Sequence, residues 1–445
     1  RKLIMNRKTM RYGAALFLAL MLFLTPQNIM ADIKYFDLTK PFLRKIPMAV
    51  PQFKSLSVDP AEKGQMVAFA DEVQEMLDFS GYFKMLDRAS FLHDPQKSGI
   101  SQTTINYKNW TAIGAELLIT GGLRIDGNTM AVELRLFDTF KSKLLVGKQY
   151  RGTLADRRTM VKRFCSQVLK KLNGHDGFFH SQLAFVSNGT GHKEIYRCDF
   201  DGENIRPVTQ KASITSFPAW SSDGRYLAYT SYVKGPVQIF IRNLKTGTEN
   251  SVSYKGVQIA PSWSPKKFEL TATLSYGGDQ EIYLLTGTGK MIKRVTNSRG
   301  IDVDATWSPD GKKIAFVSKR SGKPQIYIKE ISSGRVERLT FEGKYNTQPN
   351  WSPRGNMIAY SSMAQGGINI FIIDVEGKNP IQLTHNQGDN EAPSWSPDGS
   401  LLAFSSTREG GSRIYVMTAF GTDQRRLIDM PGEQFHPKWS PNIPY

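Results

Sequence analysis

Six tryptophans, Trp220, Trp263, Trp307, Trp351, Trp395 and Trp439, recur every 43 or 44 residues, and each is followed by a serine. This spacing predicts a six-bladed all-β propeller, and the helix and strand patterns ahead of it predict a preceding N-terminal α/β domain, so the chain is multidomain. Two further marks keep step with the first. Leu183-Ala184-Phe185, Leu227-Ala228-Tyr229, Ile314-Ala315-Phe316, Ile358-Ala359-Tyr360 and Leu402-Ala403-Phe404 share one phase of the period, with Leu270-Thr271-Ala272 as a weaker copy. Ile followed by Tyr or Phe recurs at positions 195, 239, 282, 326, 370 and 414.

The copy around Trp307 explains why the pattern means a blade. Val303 to Trp307 reads as a strand, and Ser308-Pro309-Asp310-Gly311 as a turn, because Pro presets φ and Gly tolerates a positive one. Lys313 to Ser318, Gln325 to Ile331 and Val336 to Thr340 supply three more strands. One four-stranded antiparallel sheet cannot bury both of its faces, so successive copies must stack, with Trp and Tyr/Phe side chains between them.

The ends of the array indicate how it closes. Residues 182–209 hold the second, third and fourth strands of a blade without a preceding Trp-Ser turn, whereas residues 432–439 hold a first strand alone. The C-terminal strand is therefore expected to complete the first blade, removing open edges that invite aggregation. The alternative is an open row of hairpin repeats.

Residues 1–31 open with Arg1, Lys2, Arg7, Lys8 and Arg11, continue without charge from Gly13 to Leu24, and end on Ala31. This is the pattern of a secretory signal peptide cleaved after Ala31, the alternative being an uncleaved anchor. The expected domains are then 32–173 (α/β), 174–177 (linker) and 178–445 (propeller). Removing five positive and no negative charges takes the net charge from +18 to +13. The remaining Lys and Arg are spread over both domains with no nucleic-acid arm, so a soluble, monomeric chain that binds no nucleic acid is expected. Cys165, on a helical apolar face, and Cys198, in a blade strand, read as small buried residues, although an exported protein could join them.

In the N-terminal region, Asp59-Pro60 begins a helix to about Phe79 with Met66, Phe69, Ala70, Val73 and Leu77 on one face. Strands are expected at Leu117 to Thr120 and Met130 to Asp138 around an Asp126-Gly127-Asn128 turn, with a third at Leu144 to Tyr150. A second helix runs from Asp156 to Leu172 and stops at Asn173-Gly174. The short linker implies that the two domains touch. Asp32 to Leu38 precedes a stretch punctuated by Pro41, Pro47 and Pro51 and suits strand addition onto a partner.

Catalytic patterns are missing. A propeller beside a hydrolase domain would need a Gly-x-Ser-x-Gly elbow, and Gly410-Gly411-Ser412-Arg413-Ile414 lacks its last glycine. The histidines at 93, 175, 180, 192, 385 and 436 form no His-x-x-x-His pair. Asp302 and Asp304 lack the other acidic residues of a calcium loop. Asp223, Asp310 and Asp398 belong to the repeated turn. No catalytic residue, metal or cofactor is expected; an enzyme or a small-ligand receptor using the central channel is the competing reading.

A propeller without chemistry is a binding platform. Its reader is expected just before each tryptophan, where the innermost strands begin around the channel mouth. Five positions ahead stand Thr215, Gln258, Asp302, Asn346, Asn390 and Gln434; one later come Ser216, Ile259, Val303, Thr347, Glu391 and Phe435; Tyr345, Asp389 and Glu433 lie earlier. Repeats that share a framework yet vary here suit a non-symmetric partner, unless these starts are simply solvated.

The order of parts now carries a resemblance. The signal peptide, the strand end Leu118-Ile119-Thr120-Gly121, the six Trp-Ser repeats and the closing Trp439-Ser440-Pro441 together resemble the TolB family, periplasmic components of the Tol-Pal system of Gram-negative bacteria. The resemblance implies a non-catalytic adaptor. The channel-mouth residues above would hold the lipoprotein Pal, and Asp32, Ile33, Lys34, Tyr35, Phe36 and Asp37 would engage TolA. Tyr35-Phe36 are bulkier than the aliphatic pair the family leads one to expect there.

Overall fold

The computed structural model describes residues 44–56, 62–92, 94, 97–364 and 366–443. The signal-peptide reading and the segment Asp32 to Asp37 lie outside the described residues.

Six four-stranded antiparallel sheets account for residues 182–439. Blade 1 is ordered Gln434–Trp439, Gln182–Ser187, Glu194–Asp199, Arg206–Pro207, so the last strand of the chain is the innermost strand of the first sheet. Its register is Gln434 opposite Ser187, Phe435 opposite Val186, Lys438 opposite Ala184 and Trp439 opposite Leu183. Blades 2 to 6 follow in sequence, with innermost strands Thr215–Trp220, Gln258–Trp263, Asp302–Trp307, Asn346–Trp351 and Asn390–Trp395. The expected closure is what the backbone makes.

Apolar side chains explain the stacking. Trp263 of blade 3 packs with Ala219, Ala228, Ile239 and Ile241 of blade 2, and Trp395 of blade 6 with Ala359, Ile370 and Ile372 of blade 5. The repeated turn is fastened by its aspartate. Ser308 Oγ donates to Asp310 Oδ1 at 2.6 Å, and the same oxygen accepts from Lys312 N at 3.0 Å. Ser221–Asp223 and Ser396–Asp398 repeat the device at 2.6 and 2.7 Å. The hydrogen bond from Ser308 leads the causes that hold the Asp310 carboxyl below its usual range.

The N-terminal region is a six-stranded mixed sheet under two helices. Phe83–Met85, Ile46–Ala49, Leu117–Asp126, Thr129–Asp138 and Lys143–Gly152 lie side by side in that order, and Lys54–Ser55 also pairs with Leu117–Asp126. Helix Glu62–Phe79 buries Met66, Phe69, Ala70, Val73, Met76 and Leu77. Helix Arg157–Asn173 ends at Gly174, whose φ of 83° lets its N–H reach Lys170 O at 2.9 Å. The short strands Lys54–Ser55 and Phe83–Met85 escape a sequence reading, and so do two further elements. Ile46–Ala49 pairs in parallel on both sides despite Pro47, and Tyr107–Ala112 is a short helix that buries Trp110.

The two regions meet through aromatic and ionic contacts. Phe79 sits 5.3 Å from Phe200 and 6.0 Å from Phe178 by ring centroids, and Phe178 lies 6.1 Å from Trp439. Arg158 bridges Asp201 at 2.6 Å, Asp199 at 3.3 Å and Glu72 at 3.4 Å, while Lys162 reaches Asp199 at 2.8 Å. Cys165 and Cys198 are both buried and unpaired, and burial pushes each thiol up from its ordinary value.

Trp439 thus serves closure and domain contact at once, and its indole N–H donates to Ser181 Oγ at 2.5 Å. Trp439→Ala is expected to remove about 3–5 kcal/mol of stability. Urea unfolding of the full chain measures this, and a midpoint unchanged from the parent would contradict it.

Candidate functional site

Every innermost strand carries the same irregularity. In blade 2 the ladder runs through Ser216, skips, and resumes at Ala219; the other five blades shift at the equivalent place. The residue at the skip is left-handed each time: Phe217 (φ 52°), Ala260 (51°), Asp304 (55°), Gln348 (53°), Ala392 (54°) and His436 (48°). None is glycine, so each copy carries backbone strain that the surrounding ladder must hold in place. A proline follows in five of the six, presetting the next φ. These bulges turn the six residues toward the axis, where they line a narrow cavity of about 70 Å³.

The channel holds three ionisable groups. Burial raises the Asp304 carboxyl to about 6, and Lys438 opposes that shift. Burial also lowers the Lys438 ammonium, with Asp304 as the opposing charge. The His436 ring stacks on Phe217 at 4.7 Å, and burial, then the charge of Lys193, brings it from 6.5 to about 4.

Above the bulges lies the mouth. Thr215, Gln258, Asp302, Asn346, Asn390 and Gln434 are all buried there and each makes internal hydrogen bonds, although the amide oxygens of Gln258, Asn346 and Gln434 find no partner among the described residues. Asn346 Nδ2 of blade 5 donates to Gln325 Oε1 of blade 4 at 2.9 Å and to Glu342 O at 2.7 Å. Asn390 Nδ2 donates to Gly388 O at 3.0 Å and to Asn369 Oδ1 of blade 5 at 3.4 Å. Gln258 Nε2 donates to Tyr254 O at 2.6 Å, Gln434 Nε2 to Gly432 O at 2.6 Å, and Thr215 Oγ1 lies 3.4 Å from Ser231 Oγ. Asp302 accepts from Ser318 Oγ at 2.6 Å and Arg320 Nη2 at 2.7 Å, and burial still raises its carboxyl. These six tie the strand starts to their own blades and loops, and Asn346 and Asn390 also reach the preceding blade.

Their neighbours face outward. Ser216, Ile259, Val303, Thr347, Glu391 and Phe435 are half-buried, as is Glu433, and Tyr345 and Asp389 are exposed. Burial, then the charge of Asp389, raises the Glu391 carboxyl. Phe435 lies beneath Lys193 Nζ, 4.6 Å from the ring centroid. Sequence reasoning missed the partners across the mouth, on the loops after each second strand. Tyr232 N donates to Ile214 O at 3.1 Å, Ser275 N to Val257 O at 3.0 Å, and Met363 N to Tyr345 O at 3.1 Å, which sets these loops beside the strand starts. Ile214, Tyr232, Tyr276, Tyr345 and Met363 are thereby 43–53% exposed. In blades 4 and 6 the loop position equivalent to Tyr276 is Arg320 or Arg408, each 2.8 Å from its own Ser318 or Ser406. Aligning the copies on the second-strand residue that pairs with each strand start, Ser231, Leu274, Ser318, Ser362 or Ser406, would have found Tyr232, Tyr276 and Met363.

Among the described residues, no group of three or more His, Cys, Asp or Glu could hold a metal ion, and no helix is long and apolar enough to cross a membrane. With the ring, its mouth and the N-terminal sheet in view, comparison with known proteins is decisive. The profile described as the TolB beta propeller domain matches residues 169–443, and that of the TolB amino-terminal domain matches residues 35–145. The chain belongs to the TolB family. It is 52% identical over 283 residues to the Tol-Pal system protein TolB of Desulfosudis oleivorans, covering 64% of each chain, so a little under two thirds of that relative's length is matched. The TolB homolog of Chlorobium chlorochromatii is 42% identical over 62% of each chain. The crystal structure of TolB from Acinetobacter baumannii superposes with a TM-score of 0.79 at 27% identity, over 89% of this chain and 97% of that one.

The channel of this TolB-family chain carries a pH signature. His436 is neutral in the fold with its pKa depressed from 6.5, so its contribution is fully present above about pH 6.5 and is lost as pH falls toward about 4. His436→Gln copies Gln348, which holds the equivalent left-handed position in blade 5. The variant is expected to lose less stability on acidification than the parent, by about 3 kcal/mol at most. Chemical unfolding across that pH range checks this; parallel curves for the two proteins would contradict it.

Proposed function

We propose that this chain is a non-catalytic periplasmic adaptor of the Tol-Pal system, which binds the lipoprotein Pal at the channel mouth and TolA through its mature N-terminal segment. In this role it supports outer-membrane integrity and envelope constriction at cell division. The observation that carries the reading is the ring of exposed apolar side chains at the mouth, Ile214, Tyr232, Tyr276, Tyr345 and Met363. Large aromatics exposed together around a rigid rim are the usual anchors of a protein partner. Asp389, Glu391 and Glu433 add an acidic arc on blades 6 and 1, so the rim differs from blade to block of neighbouring blades as a non-symmetric partner requires.

The channel below the rim supports a protein partner over a small substrate. Its free volume of about 70 Å³ is well under the ~300–1,000 Å³ of ordinary ligand pockets. The stitched residues Thr215, Gln258, Asp302, Asn346, Asn390 and Gln434 act as a chassis that holds the rim, while Ser216, Ile259, Val303, Tyr345, Thr347, Asp389, Glu391, Glu433 and Phe435 offer the contact surface. On this reading the segment Asp32 to Asp37 exchanges between the body of the protein and TolA. If its docking alters the mouth, linkage requires each partner to change the other's affinity by the same factor.

Affinity capture from solubilised envelope tests this function. The full chain is expected to retain a Pal-like lipoprotein. Tyr276→Asp with Tyr345→Asp is expected to weaken capture about tenfold or more, since buried aromatic anchors contribute ~2 kcal/mol or above. These side chains are exposed, so thermal unfolding should be unchanged. Undiminished capture by the double variant would overturn the mouth assignment. Deleting residues 32–37 is expected to change the dissociation constant for the lipoprotein, and an identical constant would remove the exchange mechanism.

A further inference from the structure

At the end opposite the mouth, the residue before the final tryptophan of each innermost strand is Ala219, Ser262, Thr306, Asn350, Ser394 or Lys438. Hydrogen bonds pass from blade to blade along this far ring. Thr306 Oγ1 accepts from Trp351 N at 3.2 Å, Asn350 Oδ1 from Trp395 N at 2.9 Å, and Ser394 Oγ from Trp439 N at 2.9 Å. The indole N–H groups join in, Trp220 donating to Lys438 O at 3.0 Å, Trp307 to Ser262 O at 3.1 Å and Trp395 to Asn350 O at 3.1 Å.

Two groups stand outside this scheme. The indole N–H of Trp263, a residue only 7% exposed, is buried and has no acceptor among the described residues. The Lys438 ammonium forms no hydrogen bond or ion pair among them either, and its charge is answered only by Asp304 from within the channel. Both residues line one vestibule of about 310 Å³, together with Ser262, Thr306 and Asn350.

That vestibule is rich in donors and holds one cationic side chain and no carboxylate. Thr306 Oγ1 and Asn350 Oδ1 each already accept one hydrogen bond, and the Thr306 hydroxyl hydrogen and the Asn350 amide hydrogens are available as donors. Lys438 adds three N–H donors and a charge, and Trp263 adds one donor whose burial without a partner is costly. A pocket with several donors, an ammonium and no carboxylate in its lining is matched by a group that carries several acceptor oxygens and a negative charge.

We propose that the far vestibule binds a small oxyanion, a carboxylate or phosphate group, whose oxygens accept from the Lys438 ammonium and the Trp263 indole N–H. The site is separate from the docking mouth and does not depend on the adaptor reading. It is also particular to the side where Ala219 and Lys438 interrupt the neutral hydroxyl-and-amide ring.

The test uses the full chain with its seven tryptophans labelled at the indole nitrogen. Inorganic phosphate and acetate are titrated separately, each against sodium chloride at matched ionic strength. A saturable shift is expected in one indole N–H resonance, the one that disappears in Trp263→Phe. A response to phosphate alone assigns a phosphate group, to acetate alone a carboxylate, and to both a general oxyanion site. By calorimetry, Lys438→Met is expected to bind about tenfold more weakly or worse, and Lys438→Arg to retain binding. Should Lys438→Met fail to fold, Lys438→Gln and Trp263→Phe replace it, each being expected to weaken binding. No saturable shift with either anion beyond chloride, or undiminished affinity in the charge-removing variants, would overturn the site.

Discussion

One strand pairing underlies the rest of the molecule. When Gln434–Trp439 joins Gln182–Ser187, six blades become a ring, and a ring has an axis, a channel and two unlike ends. Without it, the innermost strands would begin along an open row and no mouth would exist. The same strand carries His436 and Lys438 into the channel, and it presses Trp439 against Phe178, which touches Phe79 of the N-terminal region. Closure, channel chemistry and domain contact therefore share six residues.

Within the ring, uniform backbone and varied side chains divide the labour. Six left-handed residues at one ladder skip narrow the axis identically in every blade, although their side chains range from Ala260 to His436. Just above them, the buried polar residues at the strand starts tie each loop to its own blade and, at Asn346 and Asn390, to the one before. A stiff rim lets exposed aromatics such as Tyr276 and Tyr345 meet a partner without first being ordered, which lowers the entropic cost of association. The neutral channel histidine and the raised Asp304 carboxyl show the same dry surroundings acting on ionisable groups.

Much of this was legible in the sequence. Blade strands announced themselves because apolar and β-branched runs alternate with Pro-Asp-Gly turns at a fixed period, and the missing strand at one end matched the surplus strand at the other. The helices showed their 3.6-residue stripes, down to Gly174 at the end of the second. Ile46–Ala49 stayed hidden because it is four residues long and contains Pro47, which argues against a paired strand. The bulges left no mark beyond a recurring proline. At the mouth, the position of the strand starts could be read but their exposure could not, since a short polar residue serves equally well in water or in a buried hydrogen bond. Tyr276 and Met363 were missed because their loops were not aligned across copies.

The most direct test of the central claim is native-state amide hydrogen exchange on the full chain, comparing the ladder between residues 434–439 and 182–187 with the inner ladder of blade 4. A closed ring predicts that the two are protected alike and open together in global unfolding. Exchange of the 434–439 amides at the rate of unpaired chain, while residues 313–318 stay protected, would contradict it.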